Sequence, residues 1–105
     1  MLGLSVLIVD DEPLARDGLR ILLEEEKGID RVSDAKHGEE AIRMIREESP
    51  DLVFLDVQMP EVDGFDVVRE VGPERMPGVI FDPSSKGAQA YIAFGGEMVE
   101  RIKSM

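Results

Sequence analysis

DLVFLDVQMPEVDG, residues 51–64, sets four buried-type residues, Leu52 to Leu55, before a carboxylate, Asp56, and a Met59-Pro60 turn. An unbroken apolar run of this length reads as a strand covered on both faces. The pattern has a precedent upstream, where Leu4 to Val9 runs into Asp10-Asp11-Glu12. Pro13 then suits the first turn of a helix, with Leu14, Ala15, Leu19, Leu22 and Leu23 as its apolar stripe and Arg16 and Arg20 pointing elsewhere. Lys27-Gly28 ends that helix. Ile29 to Ala35 is a weaker strand, and Glu39 to Glu48 a second helix with Ala41, Ile42 and Ile45 on one side, closed by Ser49-Pro50. Gly64 opens a third helix carrying Phe65, Val68 and Val71, and Gly72-Pro73 breaks it before a fourth strand at Gly78 to Phe81. Strands alternating with helices in this way call for a parallel sheet with helices on both faces.

The 105 residues suffice for one small domain, 43% hydrophobic with few aromatics, and hold no repeat or low-complexity tract. No apolar stretch approaches a membrane span, and no basic leader precedes the first apolar run, so neither a membrane segment nor a signal peptide is read. The chain has no cysteine, which removes disulfide and thiolate chemistry and points to the cytoplasm. A net charge of −11 argues against direct contact with nucleic acid, whose phosphates need Lys and Arg, and suits a divalent cation or a basic protein surface. Solubility accounts for much of that charge.

Ligands of an open parallel sheet sit at the carboxyl ends of its strands. Asp10 and Asp11 end the first strand and Asp56 the third, and in the 2-1-3-4-5 strand order these strands are neighbours. Any one of the three alone reads as a loop start or a helix cap. Together they repel, by about 4 kcal/mol for two unit charges ~4 Å apart at an effective dielectric of 20. A cation relieves that cost, and an all-oxygen donor set with room for water suits Mg²⁺. A carboxylate beside Mg²⁺ can take a phosphoryl group as an aspartyl-phosphate.

VLIVDDEPLAR (residues 6–16) and PDLVFLDVQMPEVDGFDVV (residues 50–68) resemble the receiver domain of two-component response regulators, over about residues 4–81. The DDEPLAR form is similar to receivers of the LytR/AlgR type. The resemblance implies a flavodoxin-like, three-layer α/β/α fold around a parallel sheet of four or five strands. It makes Asp56 the acceptor of a phosphoryl group from a sensor histidine kinase. Asp10, Asp11 and Asp56, with the backbone carbonyl of Gln58, become the Mg²⁺ ligands, and Met59-Pro60 and Gly64 shape the loop after the acceptor. It implies no enzyme beyond self-phosphorylation and autodephosphorylation.

After Phe81 the chain departs from that pattern, so residues 1–105 read as a single receiver-like domain, 1–81 family-like and 82–105 atypical: shortened, swapped or engineered. The family places a Thr or Ser just after strand four; Ser84 or Ser85 can supply the hydroxyl, but Asp82-Pro83 intrudes, and a helix-capping role fits them as well. No Lys-Pro follows an apolar strand, and Lys86 or Lys103 replaces the missing Lys only if the fold carries it to the crevice. Two readings of the tail stand. Tyr91 to Phe94 is a fifth strand, reached by a connection short for a parallel crossover. Otherwise Ser84 or Ser85 caps a helix through Phe94, ended by Gly95-Gly96, and strand five is absent. The second is narrowly favoured, because Pro83 and Gly87 tell against a crossover helix. It leaves the edge beside strand four open to a homodimer or domain-swapped dimer. Either way Glu97 to Lys103, with Met98, Val99 and Ile102, reads as a terminal helix.

Three functions compete. The first is a phosphoacceptor receiver that signals by changed partner association. The second is a receiver-derived interaction or oligomerisation module, or an engineered scaffold, that no longer switches. A phosphatase of the haloacid dehalogenase type is the third, but it needs an Asp two residues past the nucleophile, where Gln58 stands. His37 is the lone histidine, read as exposed and without a site partner.

Overall fold

The first four strands run parallel because each is joined to the next through a helix, and a parallel pair needs such a crossover. The computed structural model describes residues 3–82, 89–94 and 97–103, with Asp82 and the last two segments described as backbone. The order is β1 (Leu4–Val9), α1 (Pro13–Glu24), β2 (Ile29–Ala35), α2 (Gly38–Glu48), β3 (Leu52–Asp56), α3 (Gly64–Val71), a 3-10 turn at Pro73–Arg75, β4 (Gly78–Asp82), β5 (Gln89–Phe94) and β6 (Glu97–Lys103). The sheet order is β2-β1-β3-β4-β5-β6. The strand order expected for β1 to β4 is therefore found.

Period-2 alternation divides the sheet's side chains between two layers. Leu7, Val9, Val53, Leu55, Val79 and Phe81 face α2 and α3, where they meet Ala41, Ile45, Val67 and Val71. Val6 and Ile8 face α1 and pack with Leu23, flanked by Leu19, Leu52 and Phe54. The helices do not bury the stripes expected of them. On α1 only Leu23 is buried, while Leu14 is 81% and Leu22 62% exposed. A single helix lying on an edge pair of strands has a narrow contact strip, so five apolar positions exceed what it can cover. On α3 the buried pair is Val67 and Val71; Phe65 is exposed and leans on Phe81 with ring centroids 5.4 Å apart.

The tail corrects two expectations. Gln89 to Phe94 is a strand, which agrees with the reading of Tyr91 to Phe94 as strand five and overturns the favoured helix, and Glu97 to Lys103 is a strand, not a terminal helix. β4 pairs antiparallel with β5, and β5 antiparallel with β6. The short connection after β4 was an objection only to a parallel crossover; an antiparallel neighbour needs no more than a turn. Phe94 opposes Glu97 across Gly95-Gly96, the dipeptide spacing of a two-residue hairpin. The edge beside β4, expected to be open to a partner, is thus covered by the chain's own hairpin.

α3 begins with a capping box: Asp63 accepts from the Asp66 N–H at 2.8 Å, and Asp66 accepts from the Asp63 N–H at 3.1 Å. The Asp63 backbone N–H, with help from Arg69, holds the Asp66 carboxyl below its ordinary 3.8. A lowered carboxyl stabilises the fold above that pH and loses its contribution as pH falls through the lowered value. Asp63→Ala is expected to cost ~1 kcal/mol, read as a lower urea midpoint with unchanged slope.

Candidate metal and phosphoryl site

β1 and β3 lie side by side in parallel register, with Val9 opposite Leu55, so Asp10 and Asp56 leave the sheet together. One carboxylate oxygen from each of Asp10, Asp11 and Asp56 falls within 4.8 Å of the others. Asp56 is 3% exposed and Asp10 8%, whereas Asp11 is open to solvent. Each strand-end aspartate is aimed by the backbone just beyond it. Asp10 Oδ1 accepts from the Glu12 N–H at 2.9 Å, and Asp56 Oδ1 from the Gln58 N–H at 3.0 Å. These local turns, in each case closed by the N–H two residues on, are why the strand end makes a fixed carboxylate rather than a frayed one.

The loop after Asp56 is held by close backbone approach. A Cβ on Gly64 would sit 2.6 Å from the Asp56 carbonyl oxygen and 3.0 Å from Val57 Cα. One on Gly38 would sit 2.5 Å from Val62 Cγ1 and 2.7 Å from the Val62 carbonyl oxygen. The start of α2 and the β3–α3 loop therefore touch, and with Asp11 they wall a cleft of about 260 Å³ beside the carboxylates. Met59 is buried under the same loop.

All-oxygen donors within one ion's reach fit a hard divalent cation. The sequence matches the response regulator receiver domain family over residues 6–94. The chain belongs to the response regulator receiver family. The transcriptional regulatory protein BtsR of Salmonella typhi is 45% identical over 78 residues, 74% of this chain and 33% of its own. The receiver thus spans about a third of the length of the curated relatives it matches. Among solved structures, the response regulator domain of Thermotoga maritima CheB superposes with a TM-score of 0.67 at 28% identity, over 76% of this chain and 60% of that one. The receiver domain of the histidine kinase CKI1 from Arabidopsis thaliana, complexed with Mg²⁺ and BeF3⁻, has a TM-score of 0.58 at 33% identity, over 65% of this chain and 54% of that one. Receiver domains hold Mg²⁺ in an acidic pocket, and this receiver has a cluster of three aspartates at the ends of β1 and β3.

Of the residues singled out in the sequence, Asp10, Asp11, Asp56 and the backbone of Gln58 come together. Ser84, Ser85 and Lys86 lie outside the described residues. Lys103 ends β6, three strands from β3 in the sheet order, roughly 14 Å at ~4.8 Å per strand. Two roles went unread. His37, exposed as expected, is the N-cap of α2, its Nδ1 accepting from the Glu40 N–H at 3.2 Å. Arg16, read as pointing away, has a side chain only 11% exposed and donates to the Asp10 carbonyl at 2.8 Å.

Proposed function

We propose that this receiver accepts a phosphoryl group on Asp56, with Mg²⁺ held by Asp10, Asp11, Asp56 and the Gln58 backbone carbonyl. The observation that carries the reading is the convergence of three carboxylate oxygens within 4.8 Å, two of them on buried strand-end aspartates. Bound Mg²⁺ would offset the charge of the attacking and transferred oxygens. An Asp56 carboxylate oxygen forms the new bond to phosphorus as the P–N bond of a donor phosphohistidine breaks, and the released imidazole takes a proton from water. Asp56 suits attack because its position is fixed by the Gln58 N–H and by the buried strand behind it. Its product is an acyl phosphate that water can hydrolyse, which ends the signal. This is a covalent switch with slow self-reversal rather than an enzyme acting on a separate substrate.

The phosphodonor partner in this reading is a sensor histidine kinase. Leu14, at the crevice end of α1, is exposed, and so are Ile21 and Leu22 further along the helix. Such side chains offer an apolar strip on which a helical partner can seat. The readout is a changed association of the domain, and any transcriptional output belongs to a further segment, since the BtsR relatives are more than twice as long as this chain. Ser84 as hydroxyl contact to the phosphoryl group, and a domain extending through residue 105, remain part of the proposal.

Intact mass after incubation with acetyl phosphate and Mg²⁺ tests it. One added phosphoryl group, which does not form when the cation is chelated before the donor is added, is the expected result. No addition in the presence of Mg²⁺ would reject the phosphoacceptor reading and leave a non-switching interaction module as the alternative.

A further inference from the structure

An arginine side chain is seldom this buried unless it is paired, and Arg16 is paired at both ends. Its Nη1 donates to the Asp10 carbonyl at 2.8 Å, and its Nε lies 3.5 Å from Asp34 Oδ2. Asp34 is held in turn: Arg20 Nη2 lies 3.3 Å from its Oδ1, and Arg20 Nη1 donates to the Val32 carbonyl at 2.9 Å. β2 therefore anchors the guanidinium, and the guanidinium grips the peptide that joins Asp10 to Asp11. The Asp10 N–H is fixed as well, donating to the Ala35 carbonyl at 3.2 Å. Asp11, by contrast, is exposed, so packing cannot set its direction. The peptide it leaves is held, because Arg16 donates to that peptide's oxygen.

We infer that Arg16 is a positioning residue for the divalent cation site, aiming the Asp11 carboxylate by locking the Asp10–Asp11 peptide against Asp34. The inference rests on the reading of Asp10, Asp11 and Asp56 as that site. It opposes a simpler expectation. A positive charge behind the carboxylates repels a cation, so if charge alone mattered, its removal would tighten Mg²⁺ binding. Positioning requires the reverse, because groups that orient metal ligands typically contribute ~10- to 100-fold in affinity.

The test is a Mg²⁺ titration of the whole chain followed by amide NMR shifts, with a thermal midpoint recorded for each variant without the cation. Arg16→Ala should bind Mg²⁺ about 10-fold or more weakly. Arg16→Gln, which keeps a donor for the Asp10 carbonyl but no charge, should recover part of that loss. An Arg16→Ala affinity equal to or tighter than the parent's overturns the inference, as does an Arg16→Gln no better than Arg16→Ala. Should Arg16→Ala not fold, Asp34→Asn decides: weaker Mg²⁺ binding at a near-parent cation-free midpoint supports positioning, and unchanged binding overturns it. A parent that binds no Mg²⁺ removes the cation site itself, a different failure from a parent that binds and an Arg16→Ala that binds equally.

Discussion

Asp56→Asn is expected to give a folded chain that gains no phosphoryl group from acetyl phosphate under conditions that fully label the parent. The amide has no anionic oxygen with which to attack phosphorus, yet it keeps the Oδ1 that accepts from the Gln58 N–H, so the strand end stays in place. Removing one of three clustered charges also relieves repulsion. In the absence of a divalent cation, Asp56→Asn should therefore unfold at a higher temperature than the parent. The scale is about 4 kcal/mol for each pair ~4 Å apart at a dielectric of 20, and the Asp11 pair contributes less because Asp11 is open to water. Added Mg²⁺ should shrink the difference by stabilising the parent more, since a ligand that binds only the folded state raises its stability. Two measurements check this: intact mass, and thermal midpoints with and without Mg²⁺. A variant that still gains a phosphoryl group in a Mg²⁺-dependent manner would move the acceptor to another residue. A metal-free variant less stable than the parent would mean that Asp56 is held by interactions stronger than the repulsion.

Gly64→Ala should have the second largest effect, on stability and labelling together. The added Cβ would meet the Asp56 carbonyl oxygen at 2.6 Å and Val57 Cα at 3.0 Å, both of them backbone, so no side chain can swing aside. Either α3 retreats from the sheet or the end of β3 moves. Overpacking of this sort costs about 1–3 kcal/mol, a substantial part of the ~5–15 kcal/mol that holds a small domain. Because the displaced atoms belong to Asp56 and its neighbour, labelling should slow on the order of 10-fold or more even though the acceptor is intact. A lowered urea midpoint with unchanged slope would assign the loss to the native contact. Labelling at the parent rate despite lost stability would show that α3, not β3, had moved.

The central strands were legible because a strand buried on both faces writes itself as an unbroken apolar run, as Val6 to Val9 and Val53 to Leu55 do. The crevice was legible for the same reason: charges that interrupt such runs stand at strand ends. Helix faces were harder. The Leu and Ile residues of α1 exceed what one helix on an edge pair can bury, and periodicity does not say which of them win. The tail was misread because Met98, Val99 and Ile102 fit a helical face and a strand equally well, and strand preference depends on the neighbours a strand will find. Gly95-Gly96 is the available signal, and the dipeptide suits a helix stop and the spacing of a hairpin alike. Arg16 left no local trace at all; its partners are Asp10 and Asp34, and only the fold makes Asp34 its neighbour.

The antiparallel end of the sheet also bears on how the chain reaches this structure. Joining β1 to β3 brings together residues such as Ser5 and Asp51, 46 positions apart, whereas β5 and β6 meet across two glycines. The entropy of closing a loop grows with its length, by roughly 0.6 kcal/mol for each doubling, and local hairpins form in ~1–10 μs. The hairpin can therefore assemble without waiting for the long-range pairings of β1, β2 and β3. Those pairings carry the larger closure cost, and the one between β1 and β3 is what brings Asp10 and Asp56 together.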